Sequence, residues 1–163
     1  MSVVEIPVSN QLRGELGDFS SIVCFKAVVV GTEEALGEKA AAIALVAAGR
    51  SRGKRLAEEL GLTGKGIDGD EIVPLLQKAL GRDGTRLCIV DKLDTTGESI
   101  RVYCRETICS AGEPQGSPRQ LTFTLGALQG VLEQATGKRL RGKQTESVLR
   151  GSSHDVISFD VLG

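Results

Sequence analysis

The spacing of apolar residues predicts secondary structure that changes type along the chain. Residues 2–8 and 19–30 are rich in β-branched side chains, which predicts short strands or extended segments. From Thr32 the spacing becomes helical, and the first turn of that helix would carry two glutamates. The stretch 40–48 is apolar on every side, which predicts a buried helix.

In the second half of the same helix, the apolar residues are confined to a single stripe. The stripe consists of residues at helical spacing: Val46, Gly49, Gly53, Leu56 and Leu60. A glycine-rich loop follows over residues 61–66. Asp68 and Glu71 form a capping-box pattern that opens a short helix, which reaches about residue 80 and contains Pro74.

Beyond residue 86 the apolar period changes to two. Residues 87–90 and 100–108 predict an antiparallel hairpin around a turn at 94–97. Glu106 shares its parity with the apolar residues of the second strand, so it is predicted on the buried face. Two final strands are predicted around 140–149 and 156–162.

The clearest helix signal lies between these two pairs of strands. Ser117 is a candidate N-cap, Pro118 suits the first helical position, and Gly137 is a natural terminator. The order of elements predicts one α+β domain over residues 1–163, with an antiparallel sheet packed against several helices. Within it, residues 1–31 are predicted to form an N-terminal extended segment and residues 32–162 the folded domain proper.

Composition excludes several classes of function. The 163 residues carry 20 basic and 21 acidic side chains, and aromatic residues are only 3%. Near-neutral charge and few rings argue against nucleic acid as a partner. The basic run 50–55 is predicted to be a solvated helix face paired with Glu58 and Glu59, and the alternative is a site for an anion or a partner. No apolar stretch is long enough to span a membrane, and no signal peptide is evident. The four cysteines form no dense framework, so a cytoplasmic protein with reduced thiols is expected.

Candidate catalytic and metal-binding residues are few. The four cysteines lack metal spacing and His154 is the one histidine, so neither a metal nor a cofactor is expected. Ser152 and Ser153 beside it are explained as turn residues. Glu106, if buried, could act as an acid or pair with an arginine, and Cys104 is the other candidate for an enzymatic role.

Glycines at one-turn spacing inside predicted helices are the main structural oddity. Gly126 and Gly130 lie in the middle of the clearest helix, and Gly49 and Gly53 repeat the spacing in the first. Each costs about 1 kcal/mol relative to alanine in a helix. Such pairs indicate either tight packing against another backbone or an apolar cavity lined by small residues.

Several stretches together resemble a known family, the 4-vinyl-reductase-type domain, also described as a hydrocarbon-binding domain. They are 36–39, 47–53, 56–60, 125–133 and 136–138. The family is related to the ligand-binding fold shared by haem-based nitric oxide sensors and subunits of the TRAPP vesicle-tethering complex. The resemblance covers residues 32–162. Its members bind apolar ligands, including tetrapyrrole precursors, as carriers or sensors, and many pair through helices.

The resemblance also implies what this chain lacks. The family's final hairpin carries a glutamate and two cysteines, sometimes associated with metal, and here Gln144, Ser147 and Ile157 stand in their places. The metal site is therefore expected to be absent. His154 lies in the wrong region for a proximal haem ligand, so no haem is expected.

The leading hypothesis is a non-enzymatic module that binds a small apolar ligand and forms a homodimer. Its pocket is predicted between the 118–136 helix and the sheet, lined by residues near that helix face together with one strand residue: Cys104, Phe123, Gly126, Ala127 and Gly130. The alternative is a homo-oligomeric adaptor whose core is filled by its own side chains. A third hypothesis is an enzyme that uses Glu106 or Cys104.

Overall fold

Helices and one antiparallel sheet make up the described part of the chain, residues 13–18 and 21–163 of a computed structural model. The helices are α1 (Ile22–Leu36), α2 (Glu38–Glu59), α3 (Gly69–Leu80) and α4 (Phe123–Thr136). The strands are β1 (Ile89–Thr96), β2 (Ser99–Arg105), β3 (Leu140–Glu146) and β4 (Asp155–Val161). A short 3-10 helix, Val148–Arg150, precedes β4. The predicted α+β class is confirmed.

The sheet has the strand order β1-β2-β4-β3, with every neighbouring pair antiparallel. Alternation along β2 and β4 turns Val102, Ile157 and Phe159 into the core, where all three are fully buried. β3 pairs only with β4 among the described strands, so one of its edges is free for other elements.

α4 is the central helix of the core. Ten of its 14 residues are buried, which means that it is enclosed on nearly every side. α2 packs along one of its faces, and Leu125 on another approaches Gly142 of β3. A helix enclosed in this way is expected to be apolar all round, as α4 is except for Glu133, two glutamines and two threonines.

The N-terminal prediction is wrong where the structure can test it. Residues 22–30, predicted as a strand, form most of α1, and Thr32 lies within that helix instead of capping the next one. Ser21 provides the N-cap, since its hydroxyl accepts a hydrogen bond from the Val23 N–H at 3.2 Å. β-Branched residues disfavour helix only weakly, and this local cap together with packing on α2 outweighs them. The predicted segment 2–8 lies outside the described residues.

The predicted burial of residues 40–48 is also wrong for half of the helix surface. α2 buries Ala41 and Leu45, whereas Ile43 is 75% exposed. The sequence pattern could not reveal this because alanine-rich helices are apolar whether or not something covers them. The predicted stripe from residue 46 is confirmed, with Gly49, Gly53 and Leu56 buried.

α4 begins later than the sequence predicts. The Ser117 hydroxyl caps a turn by accepting from the Arg119 N–H at 3.2 Å, but the helix starts only at Phe123. Gln144 of β3 holds the intervening segment, because its Oε1 accepts from the Leu121 N–H at 2.8 Å. A tertiary contact therefore outcompetes the local helix-start signal. The predicted end is confirmed, with Gly137 left-handed at φ 71°.

The predicted hairpin is confirmed, although its turn lies at residues 97–98 rather than 94–97. The predicted burial of Glu106 is wrong. β2 ends at Arg105, and Glu106 adopts a left-handed φ of 50° with its side chain exposed. Strand parity does not extend past that residue, so its relation to the buried positions is lost.

The remaining predictions concern short elements. α3 is confirmed over Gly69–Leu80, with the Asp68 carboxylate accepting from the Asp70 N–H at 3.0 Å. The first strand of the final hairpin is shorter than predicted. It ends at Glu146, after which Ser147 caps the 3-10 helix by accepting from the Leu149 N–H at 3.1 Å.

Candidate functional site

Most of the predicted ligand residues lie where α4 meets α2. A Cβ placed on Gly126 would overlap the carbonyl oxygen of Val46, and one on Gly130 would overlap that of Arg50. Likewise, a Cβ on Gly49 or Gly53 of α2 would overlap a backbone carbonyl oxygen of α4. The two glycine pairs therefore let the two helix backbones approach closely.

Ala127 takes part in the same contact, since its carbonyl oxygen is the atom that a Cβ on Gly53 would overlap. Tight packing, one of the two alternatives from the sequence, is thus what the structure shows at the four glycines. Phe123 sits at the start of α4 and packs edge-to-face on Phe25 of α1, with ring centroids 4.9 Å apart. A ligand-binding role for these residues stays a prediction.

Cys104 lies away from that helix contact, on the core face of β2. It is fully buried. A hydrogen bond with the Cys88 thiol, together with burial, raises the pKa of the Cys104 thiol. The thiol is therefore protonated at neutral pH and lacks the thiolate that a nucleophile needs. Glu106 is exposed and does not lie on the buried face that the enzymatic hypothesis assumed.

An open cleft lies at another face of α4, between α2, α4 and β3. Its volume is about 340 Å³, near the lower end of the roughly 300–1,000 Å³ of small-molecule pockets. Residues from all three elements and the C-terminal segment line it: Val46, Arg50, Leu125, Gln129, Glu133, Arg139, Leu140, Arg141, Gly142 and Leu162. Sequence reasoning did not identify this cleft.

The cleft is built around the side chain of Glu133, of which only 4% is exposed. Its Oε1 accepts from Arg50 Nε, and its Oε2 accepts from Arg50 Nη2 at 3.1 Å. The same Oε2 accepts from the Leu140 N–H at 3.0 Å. One carboxylate thus joins α2, α4 and β3. The hydrogen bond with Glu133 raises the pKa of Arg50, and the predicted solvated role of run 50–55 is wrong for this residue.

A second hydrogen bond closes the edge of β3 at the same place. Gln129 Nε2 donates to the carbonyl oxygen of Leu140 at 3.0 Å. With the Glu133 contact, both backbone groups of Leu140 that point away from β4 are satisfied by α4. The edge of the sheet is therefore joined to the helix at Leu140, which also lines the cleft.

The walls and the rim of the cleft differ in chemistry. Apolar side chains of Val46, Leu125, Leu140 and Leu162 line the walls. Arg139 and Arg141 border the cleft and are exposed, but Arg141 alternates along β3 with Gly142, which faces Leu125 of α4, so its side chain points to the opposite face of the sheet. They belong to the stretch 138–143, which contains four basic residues and no acidic one. This basic run is the feature of the sequence that could have indicated the cleft. The arrangement can hold an apolar group against the walls.

The final hairpin carries the residues that stand where the resembling family has its metal ligands. Gln144 and Ile157 face each other across β3 and β4, and the Gln144 side chain is engaged by Leu121. Ser147 is buried and caps the 3-10 helix. Within residues 13–18 and 21–163, no group of three or more His, Cys, Asp or Glu side chains is placed to hold a metal ion.

His154 is part of a polar cluster on the face of the sheet opposite α4. Its Nδ1 lies 2.8 Å from Ser153 Oγ, and its Nε2 lies 2.9 Å from Asp91 Oδ2. Asp91 is also bound by Arg105 at 2.5 Å, and that hydrogen bond is the main cause of its lowered pKa. With the carboxylate shared in this way, the cluster ties the loop before β4 to β1.

Asp155, next to His154, is fully buried. Its Oδ2 accepts from Thr107 Oγ1 at 2.7 Å and from Ser110 Oγ at 2.8 Å, and its Oδ1 accepts from the Val148 N–H at 3.0 Å. The carboxylate therefore joins β4 to the loop after β2 and to the 3-10 helix. Sequence reasoning did not single it out, because nothing local distinguishes it from an exposed aspartate.

Comparison with solved structures supports the fold assignment. The phenol-responsive sensory domain of the transcription activator PoxR, crystallised with phenol, has a TM-score of 0.68 and 14% identity, covering 88% of this chain and 76% of that one. Subunit 3 of a trafficking protein particle complex from Naegleria fowleri, covalently bound to palmitic acid, has a TM-score of 0.54 and 14% identity, covering 87% of this chain and 93% of that one.

The predicted similarity to the fold of TRAPP subunits is confirmed by the second of these structures. The 4-vinyl-reductase family itself stays a prediction, since no protein-family profile and no curated protein sequence matches the chain. None of the described helices combines the length and the apolar character needed to cross a membrane.

Proposed function

We propose that the protein is a non-enzymatic module that binds a small, largely apolar molecule in the cleft between α2, α4 and β3, and acts as a sensor or carrier. The observation that carries the proposal is the cleft itself, with its apolar walls and with Leu140 of β3 joined to α4 by two hydrogen bonds. The fold, shared with a domain crystallised with phenol, supports it. Membership of the 4-vinyl-reductase family would fit the same role.

The size of the cleft narrows the class of ligand. About 340 Å³ accommodates one or two rings or a short chain more readily than a tetrapyrrole.

The four cysteines are free thiols, which supports the cytoplasmic location proposed from the sequence. A pocket at Cys104 and Phe123 would be a different site, and it would have to open within the packed core.

The cleft can be tested by filling it. Val46 lies half-buried in the wall, so Val46→Phe places a ring in the space that a ligand would occupy. We expect the affinity for the neutral fluorescent probe N-phenylnaphthylamine to fall about tenfold, equivalent to roughly 1.4 kcal/mol of lost apolar contact. A fluorescence titration of the purified protein measures this.

Val23→Phe is the matched control, since it makes the same change at a position of α1 that is 74% exposed and outside the cleft. It should leave the affinity for the probe unchanged. Equal affinities for the parent protein and both variants would place the probe elsewhere and contradict the proposal.

A second candidate function, a homo-oligomeric adaptor, is favoured by a specific surface. Large apolar side chains are exposed along α1 and the first half of α2: Ile22, Val23, Val28, Leu36 and Ile43. Exposed apolar surface of this kind is typical of interaction sites. We propose that two copies of the chain pair through these helices.

Charges placed on this surface should prevent pairing. We expect the double variant V23E/I43E to be monomeric at concentrations at which the parent protein is dimeric, since pairing would bury both carboxylates without partners. Light scattering coupled to size-exclusion chromatography measures the mass. Ala111→Glu, in an exposed loop, is the control and should remain dimeric. A parent protein that stays monomeric at all accessible concentrations would exclude the adaptor.

A further inference from the structure

The side-chain amide of Gln129 is held at the surface of the cleft in one orientation. Gln129 lines the cleft from α4 and is half-buried. Its Nε2 donates to the carbonyl oxygen of Leu140 at 3.0 Å, and because a carbonyl oxygen can only accept, this contact distinguishes the amide nitrogen from the amide oxygen. Leu140 lines the cleft as well. The amide therefore lies between α4 and β3, with its nitrogen towards the strand.

The oxygen of the same amide has no hydrogen-bond donor from the protein. Within the part of the chain that the structure describes, no N–H or O–H group donates to Gln129 Oε1. An amide oxygen can accept two hydrogen bonds, so both positions are open. The cleft thus combines apolar walls with one acceptor that is left for water or for a ligand.

The charges at the cleft are matched. Glu133 is the one carboxylate among the lining residues, and both of its oxygens accept from Arg50. The Leu140 N–H donates to the same carboxylate at 3.0 Å. Arg139 and Arg141 border the cleft but are exposed, so water and salt screen their charges. A charged ligand group would therefore find no unpaired opposite charge beside the apolar walls.

We infer that the cleft selects a neutral molecule whose apolar body lies against Val46 and Leu125 and whose O–H or N–H group donates to Gln129 Oε1. This inference rests on the proposed function and names the class of ligand. A wholly apolar molecule that covered the amide oxygen would remove its water without replacing the hydrogen bond, which weakens binding. A charged group would lose its own hydration beside a pair, Arg50 and Glu133, whose charges already satisfy each other.

Four naphthalene derivatives that differ in the group on one carbon test the inference. They are 2-naphthalenemethanol, its methyl ether, 2-naphthoate and 2-naphthylmethylammonium. The ether keeps the ring and the oxygen of the alcohol and lacks the donor. We expect the alcohol to bind the full chain about fivefold more tightly than the ether, the gain typical of one hydrogen bond. The carboxylate and the ammonium should both bind more weakly than the alcohol. Isothermal titration calorimetry at pH 7 measures the four affinities.

A substitution assigns the preference to Gln129. Gln129→Met keeps the length of the side chain and removes the amide oxygen, so the alcohol and the ether should bind this variant equally. Gln134→Met is the matched control, because it makes the same change on the same helix at a residue that does not line the cleft. It should keep the preference for the alcohol. Circular dichroism checks that both variants fold, and the comparison of alcohol with ether in the parent chain does not depend on them.

The possible outcomes separate the two proposals. If none of the four compounds binds saturably, the proposed function fails and the inference fails with it. If the alcohol and the ether bind the parent chain equally, or the carboxylate or the ammonium binds as tightly as the alcohol, the protein still binds small molecules but the inference about the ligand is wrong. A preference for the alcohol that persists in Gln129→Met would place the hydrogen bond elsewhere and would also overturn it.

Discussion

Gly130→Ala is expected to destabilise the protein by about 2–4 kcal/mol, although alanine normally stabilises a helix relative to glycine. The new methyl group would overlap the Arg50 carbonyl oxygen and lie 2.8 Å from the Lys54 backbone nitrogen. Both atoms belong to the backbone of α2, so no side-chain rotation can relieve the overlap. α2 and α4 would have to separate along a contact in which Gly126, Gly49 and Gly53 also leave no room for a Cβ.

Gly31→Ala provides a control of opposite sign. This glycine lies inside α1, and a Cβ there meets no other atom within 4 Å. It should gain roughly 0.5–1 kcal/mol from helix propensity alone. Urea unfolding followed by circular dichroism gives the free energy of unfolding of both variants. Similar stabilities for the two would mean that α2 and α4 do not pack through their glycines.

The second large effect is expected at Asp155. Asp155→Ala leaves the buried Thr107 and Ser110 hydroxyls and the half-buried Val148 N–H without their acceptor. The cost of unsatisfied buried donors, roughly 1–3 kcal/mol each before relaxation, predicts a loss of about 3 kcal/mol in the free energy of unfolding. Thermal and urea unfolding measure it.

Asp160→Ala tests whether that loss comes from burial of the carboxylate. Asp160 lies on the same strand and is exposed, so its removal should change the stability by no more than about 0.5 kcal/mol. If Asp155→Ala were as mild as this control, the carboxylate would not be holding the loop after β2 and the 3-10 helix in place.

The sequence predicted those elements whose signals are local and agree with the tertiary structure. The change of the apolar period to two beyond residue 86 predicted the hairpin of β1 and β2, and Gly137 predicted the end of α4. The glycine pairs were recognised as unusual before any contact was known. Their partners could not be derived, because spacing within one helix does not specify which surface approaches it.

Elsewhere a distant contact decided the outcome. β-Branched residues suggested a strand over 19–30, yet the Ser21 cap and the burial of Val29 against α2 make α1 a helix. Ser117 and Pro118 suggested a helix start, but Gln144 accepts a hydrogen bond from the Leu121 N–H and the helix begins only at Phe123. Secondary-structure propensities of a few tenths of a kcal/mol per residue are outweighed by such contacts.

The cleft lay beyond sequence reasoning because it is assembled from separate parts of the chain. Arg50 and Glu133, its central pair, are 83 positions apart, and no local pattern relates them. The basic stretch 138–143 was visible in the sequence. Whether this stretch borders a cleft depends on the position of β3 at the edge of the sheet and on the apolar side chains that α2 and α4 place beside it.

The most direct test of the account is to locate a bound probe on the protein by nuclear magnetic resonance. We predict that titration with N-phenylnaphthylamine shifts the amide signals of Val46, Gln129 and Gly142, which line the cleft, in a saturable manner. The signals of Cys104 and Val102 in the packed core should stay in place. Saturable shifts centred on Cys104 and Phe123, or no saturable shift at all, would contradict the assignment of the cleft as the binding site.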